Sequence, residues 1–342
     1  MSYRAIALSC ILLIPSLLTA DVTLTYKTEN TLSPSLPSAM TQMLNASHIL
    51  SSPSGRKIIV KGTKFYATTA LLDVIADLPN DKLTLLDPAN KHYITVSVSQ
   101  YADQLAAAMP KLPAGMAGLM SSIKLTVDSR TTGRTAQIQG IQADEHEIVL
   151  ALGIPLGQGA PLSPVMKIVL QLWRATPEEV ARNPALQEFV ASGFMTLGGM
   201  NPAESVEKML SQFPGIADSL AIYAKEVTDA HSVTLRMHAE VAMPILAMMA
   251  PRTPAAGGAS TADPNAPIMD INEELTSIST APVPDSAFLV PDDYTAVPLA
   301  DLMSGIMPKP SVAAPKPAPA ATPAGKCGAG SGCCFAQCVR RL

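Results

Sequence analysis

The strongest constraint on this chain is a period of two. Successive side chains of a β-strand point to opposite faces, so alternation of apolar and polar residues marks a strand with one buried face. The longest alternation sets Val233, Leu235, Met237, Ala239, Val241 and Met243 on one face and Thr234, Arg236, His238 and Glu240 on the other. Val22-Thr23-Leu24-Thr25-Tyr26 and Lys124 to Arg130 alternate in the same way, and Ile268 to Ser279 supplies a late strand.

Turn formers connect these runs. Lys57–Val60 and Lys64–Ala67 flank Lys61-Gly62-Thr63, and Leu83–Leu86 and His92–Val96 flank Asp87-Pro88-Ala89-Asn90-Lys91. Both read as hairpins, with Gly, Asn and Asp supplying the turn conformations. Thr132-Gly133-Arg134 reads as a further turn, leading from Lys124–Arg130 into Thr135–Ile138. Glu147–Leu152 and Met166–Trp173 read as strands on either side of a Gly/Pro-rich run, 153–164.

Helical stretches interrupt the hairpins. Ser99–Met109 has helical composition with a serine cap. Residues 177–195 follow Thr176-Pro177-Glu178-Glu179, which offers a cap, a first-turn proline and two acids. Asn201 caps a run over 202–213, and 218–228 reads as a fourth helix. Many hairpins with helices inserted predict an α+β fold on a largely antiparallel sheet.

Composition narrows the partners. With 342 residues and 48% hydrophobic, the chain has ample material for a core. A net charge of -4 and only 4% aromatic residues argue against nucleic acid as a partner. Residues 1–20 read as a secretory signal peptide, with Arg4, an apolar run and cleavage after Ala20; the rival lipoprotein reading, with Cys10 acylated, fits poorly because the apolar run continues past it. The expected location is therefore secreted or periplasmic, with no transmembrane span after cleavage. Residues 301–326, with Pro308, Pro310, Pro315, Pro317, Pro319 and Pro323, read as a disordered Pro/Ala-rich linker. A long loop is expected over 251–267. After Asp301 the chain carries five basic residues and no acid.

The sharpest local motif is the tail 327–342, with Cys327, Cys333, Cys334 and Cys338. In an oxidising compartment these form two disulfides with three pairings open; thiolate metal ligation and free or intermolecular thiols remain alternatives. Asp144-Glu145-His146-Glu147 places Glu145 and Glu147 on one strand face and Asp144 and His146 on the other, and reads as a solvated strand end. No further metal site and no cofactor are expected. There is no Gly-x-Ser-x-Gly elbow and no phosphate loop, so the chain reads as non-enzymatic.

The series of turns resembles a known family. The segments 55–62, Leu85-Leu86-Asp87-Pro88-Ala89-Asn90-Lys91-His92-Tyr93, Thr132-Gly133-Arg134, Ile138-Gln139-Gly140 and Pro284-Asp285-Ser286-Ala287-Phe288-Leu289-Val290-Pro291-Asp292-Asp293-Tyr294 together resemble the exported half-barrel proteins of the LolA/LppX-like superfamily, including uncharacterised bacterial relatives of the outer-membrane lipoprotein carrier. That resemblance covers roughly 21–300. It implies a curved antiparallel half-barrel with helices, including an insertion near 174–227, covering the concave face, and an apolar ligand between sheet and helices. No lid-latching arginine can be assigned, so lipoprotein shuttling does not follow.

The chain has 17 methionines, whose flexible thioethers suit adaptable apolar binding and serve equally as core filler. Met116, Leu119, Met120, Trp173 and Met195 are the expected ligand-lining residues, with 105–123 as a lid hinged at Gly115 and Gly118. The first reading is thus an exported binding protein for a lipid-like ligand. The alternatives are a structural module anchored to an envelope partner through its Cys-rich tail, and a metal or redox role for the four cysteines.

Overall fold

In the computed structural model, twelve strands among the described residues form one curved, unclosed sheet. The described residues are 21–34, 36, 41–42, 55–69, 72–108, 122–155, 162–194, 219, 233–245, 263 and 265–306. The signal segment, most of the lid segment, the run 202–213, most of 218–228 and 251–267, the linker beyond 306 and the cysteine tail lie outside them. The chain divides into two units, Met1–Pro308 and Lys309–Leu342, and every described residue belongs to the first.

The strands are β1 (Val22–Leu32), β2 (Arg56–Lys61), β3 (Lys64–Thr68), β4 (Asp73–Asp77), β5 (Lys82–Asp87), β6 (His92–Ser97), β7 (Lys124–Ile138), β8 (Ile141–Pro155), β9 (Leu162–Ala175), β10 (Thr234–Ala242), β11 (Pro267–Ser279) and β12 (Thr295–Ala296). Their order is β12-β6-β5-β4-β3-β2-β1-β11-β10-β9-β8-β7. All neighbours are antiparallel except β12, which runs parallel to β6. Two meanders therefore meet at one seam, β1 against β11, where Thr23 pairs with Ser279 and Leu32 with Met269.

The hairpins at Gly62 and at 87–91 form where turn chemistry places them. Gly62 adopts a positive φ, and the Asp87 carboxylate accepts hydrogen bonds from the amides of Ala89 and Asn90. β4 was not legible in the sequence: Val74, Ile75 and Ala76 form too short an apolar run between two aspartates to declare a period. The turn expected at Thr132-Gly133-Arg134 is instead a bulge inside β7, where the register against β8 shifts between Thr131 and Thr135. The chain reverses at Gln139-Gly140, both at positive φ, the geometry a two-residue hairpin loop requires. Gly55 also has no substitute: at φ +75° its added Cβ would lie 1.9 Å from the carbonyl oxygen of Tyr26.

Four α-helices lie among the described residues: α1 (Tyr101–Ala108), α2 (Pro177–Arg182), α3 (Pro184–Ala191) and α4 (Leu299–Ile306). The single helix expected over 177–195 is broken at Asn183. Pro184 forces the residue before it into extended backbone, and Asn183 adopts φ −106°, ψ 108°. Its side chain then accepts from the amides of Ala185 and Leu186, capping α3. Residues 301–306, assigned to the linker on composition, are helical, with Leu302 fully buried.

The main core lies on one side of β1–β6. Val22, Leu24, Ile58, Val60, Phe65, Ala76 and Leu83 point into it, together with Val180, Leu186 and Phe189 of the helices. Phe194 meets the Phe65 ring edge-on at 5.3 Å. A strap then crosses the end of the sheet. Lys61 Nζ donates to the Val283 carbonyl and pairs with Asp285, the Val283 amide donates to Asp21, and Thr295 and Val297 donate to Lys91 and Tyr93. The proline-rich run 281–298 thus carries the chain from the seam to the opposite edge.

Candidate functional site

Directly opposed residues of an antiparallel pair share a face, so the register defines the two surfaces of the long-strand half. On the side continuous with Tyr26 and Leu275, Val241 opposes Ile168 and Met269, Ile168 opposes Leu150, and Leu150 opposes Val127. One pair further along, Ala239 opposes Leu170 and Ile271, and Leu170 opposes Ile148. Met237 opposes Leu172. The result is a wide apolar surface spanning β7 to β11. Ile148, Leu172 and Ala239 are buried, whereas Val127, Leu150, Ile168, Leu170, Met237, Val241, Met269 and Ile271 are only half-buried.

This surface has a polar end. Glu273 opposes Met237 and Thr28; it pairs with Arg56 at 3.2 Å and lies 3.5 Å from Thr28 Oγ1. Arg56 also stacks on the Tyr26 ring, 5.1 Å from its centroid. Burial pushes the Tyr26 phenol well above its ordinary pKa, and its hydroxyl donates to the carbonyl of Thr234.

The opposite surface is charged. Arg236 pairs with Glu274 at 2.7 Å and Arg130 with Glu147 at 2.6 Å. A groove of about 360 Å³ on this side carries the side chains of Lys27, Glu29, Arg236, Asn272, Glu274 and Thr276, a mixture of both signs. Beside it, His238 Nε2 lies 3.0 Å from Asp270 and 3.9 Å from Glu240.

The reading of 144–147 as a solvated strand end needs correction at Glu145, whose side chain is fully buried. The β7 bulge explains how. It accommodates Thr132, Gly133 and Arg134 opposite this one residue of β8. Thr132 Oγ1 donates to Glu145 at 2.6 Å, and the Arg134 guanidinium grips both carboxylate oxygens. A buried carboxylate requires such pairing, because desolvation otherwise disfavours the charge.

Of the expected lining residues, Met116, Leu119, Met120 and Met195 lie outside the described residues, as do Cys327, Cys333, Cys334 and Cys338. Trp173 is half-buried at the border of the main core. It opposes Glu145 and Arg236, whose guanidinium sits 5.7 Å from its ring centroid, so it stands across the strand from Leu172 and its apolar neighbours. The register brings together instead the apolar residues of β7 to β11, segments that read as strands in the sequence without showing which of their residues meet. The His238–Glu240–Asp270 group was half-visible: alternation placed His238 and Glu240 together, but no sequence spacing announced Asp270.

No family model matches the chain, and no curated protein matches it. Among solved structures, the lipoprotein LppX of Mycobacterium tuberculosis aligns over 77% of this chain and 88% of its own, with a TM-score of 0.23 and 11% identity. At that score the likeness assigns neither family nor activity. Among the described residues no helix is long and apolar enough to cross a membrane.

Proposed function

We propose that this protein is a non-enzymatic binding protein for an apolar, lipid-like ligand, held on the apolar surface of β7–β11. The observation that carries this reading is the half-buried state of that surface. Side chains such as Leu150, Ile168 and Leu170 stand in a contiguous array, whereas the same residue types in the short-strand half are sealed in the core. Contiguous apolar area of this kind is a favoured place for an apolar partner. An acyl chain laid there gains about 0.8 kcal/mol per buried methylene. The Arg56–Glu273 pair at one end offers polar partners to a headgroup, which suits an amphiphile better than a pure hydrocarbon.

Native mass spectrometry of the protein, purified from its own envelope fraction without detergent, tests this. A bound mass matching a lipid is the expected result. Ile168→Asp should abolish it, while Val149→Asp, on the opposite face, should not. Equal retention by both variants, or a bare chain that fails to take up a fluorescent fatty acid, overturns the proposal.

A further inference from the structure

We infer that His238, Glu240 and Asp270 form a binding site for a divalent metal ion of the zinc class, on the charged surface of the sheet. The strands bring these residues together without help from any loop. His238 and Glu240 are two positions apart on β10 and therefore share a face, and Asp270 of β11 directly opposes Glu240. Their donor atoms all lie within 4.8 Å of one another.

The distances suit one ion. Three atoms each about 2.0–2.2 Å from a metal sit roughly 3.0–3.5 Å apart in tetrahedral or octahedral geometry. Nε2 of His238 is 3.0 Å from Asp270 Oδ2, already at that separation. Glu240 Oε1, at 3.9 Å, needs to close by about half an ångström, and its side chain, 42% exposed, is free to rotate that far.

Neighbouring residues orient two of the ligands. Gln171 Oε1 faces His238 Nδ1 at 3.1 Å, a partner for Nδ1 that holds the ring with Nε2 turned toward the carboxylates. Asn272 Nδ2 donates to Asp270 Oδ1 at 2.6 Å, leaving Oδ2 to face the imidazole. This is the arrangement in which a ligand's second polar atom is held by a further residue. A metal ion at this point would engage Asp270 and Glu240 together. One neutral imidazole and two carboxylates balance a divalent charge. The imidazole, together with only two carboxylates, selects a borderline first-row ion over calcium or magnesium, which take six or more oxygens.

Cobalt(II) is the probe, because its spectrum separates this site from the tail cysteines. The full mature chain should bind one Co²⁺ with visible ligand-field bands and no sulfur-to-metal charge-transfer band. His238→Gln and Asp270→Asn should each weaken binding by more than about 100-fold, and Gln171→Leu by about tenfold, as loss of an orienting partner does. A variant with all four tail cysteines changed to serine should bind unchanged. Circular dichroism confirms that each variant is folded; Asp270→Asn, which keeps the shape, carries the test if His238→Gln is not. The inference is overturned if the wild-type chain takes up no Co²⁺, if the spectrum is that of a thiolate site, or if uptake survives in His238→Gln and Asp270→Asn.

Discussion

The two halves of the sheet use the same residue types for opposite ends. In β2–β6, strands of five or six residues bury Ile58, Val60, Phe65, Ala76 and Leu83 to within a few per cent of complete exclusion from water, beneath α2 and α3. In β7–β11, strands of nine to fifteen residues carry equally apolar side chains, yet Val127, Leu150, Ile168 and Met237 remain half-buried. The main core extends only to the near end of the long strands, at Ala143, Ala175, Val233 and Leu235. On the proposed reading, stability and binding would fall to different stretches of one sheet. Added strand length supplies apolar area beyond what the core uses.

The largest predicted effect tests that division directly. Phe65→Ala should destabilise the protein by about 3–5 kcal/mol, the usual cost of emptying a buried aromatic position. Ile168→Ala should cost about 1 kcal/mol or less, because its side chain is already partly hydrated. Urea unfolding measures both, and equal costs would make the long-strand surface ordinary core.

Next in size is the Glu145 pair. Arg134→Met strands a buried carboxylate, and a loss of about 3 kcal/mol is expected, the lower end for breaking a buried pair because Arg134 is itself 57% exposed. The double variant Arg134→Met/Glu145→Met should recover most of that loss. If it does not, the bulge rather than the charge pair governs stability there.

A smaller effect sits at the junction of the halves. Tyr26→Phe removes the hydrogen bond to Thr234 and should cost about 1 kcal/mol at neutral pH. The pH dependence follows from burial of the phenol, which raises its pKa in the folded chain. The folded state keeps a proton that the unfolded chain releases above about pH 10, so this contribution is complete below that pH and is lost progressively as pH rises above it toward the higher pKa of the folded chain. The variant should therefore show a shallower alkaline fall in stability than the wild type. The smallest effect belongs to the exposed pair Lys91–Asp293, where Lys91→Ala should leave the unfolding midpoint unchanged.

Much of this architecture was legible because alternation is a local signal. Val233 to Val241 announced β10 and both its faces, and the Asn/Asp/Gly turns announced the β2–β3 and β5–β6 hairpins. Besides the short strand β4, two features were not legible for a physical reason. Gly133 at positive φ serves a bulge as readily as a turn, and only pairing with β8 distinguishes them. The grouping of Asp270 with His238 depends on the β10–β11 register across a connection of more than twenty residues, which no local pattern encodes. The Asn183-Pro184 break was visible in principle, since proline restricts the residue before it, but the strong helix signal at Thr176 obscured it.

The seam has a consequence for how the chain assembles. Every other antiparallel neighbour is also next in sequence among the strands, whereas β1 must wait for β11, with Thr25 and Thr276 251 positions apart. Closing so long a loop is entropically costly before any contact rewards it, so non-local pairing forms late. The two meanders can each zip up from their own turns, and their union at β1–β11 is the last step, completed only once the chain has been delivered through Ser279. Pulse-labelled hydrogen exchange should find the β1 and β11 amides protected after those of β5 and β8; earlier protection would mean that the seam nucleates the fold instead.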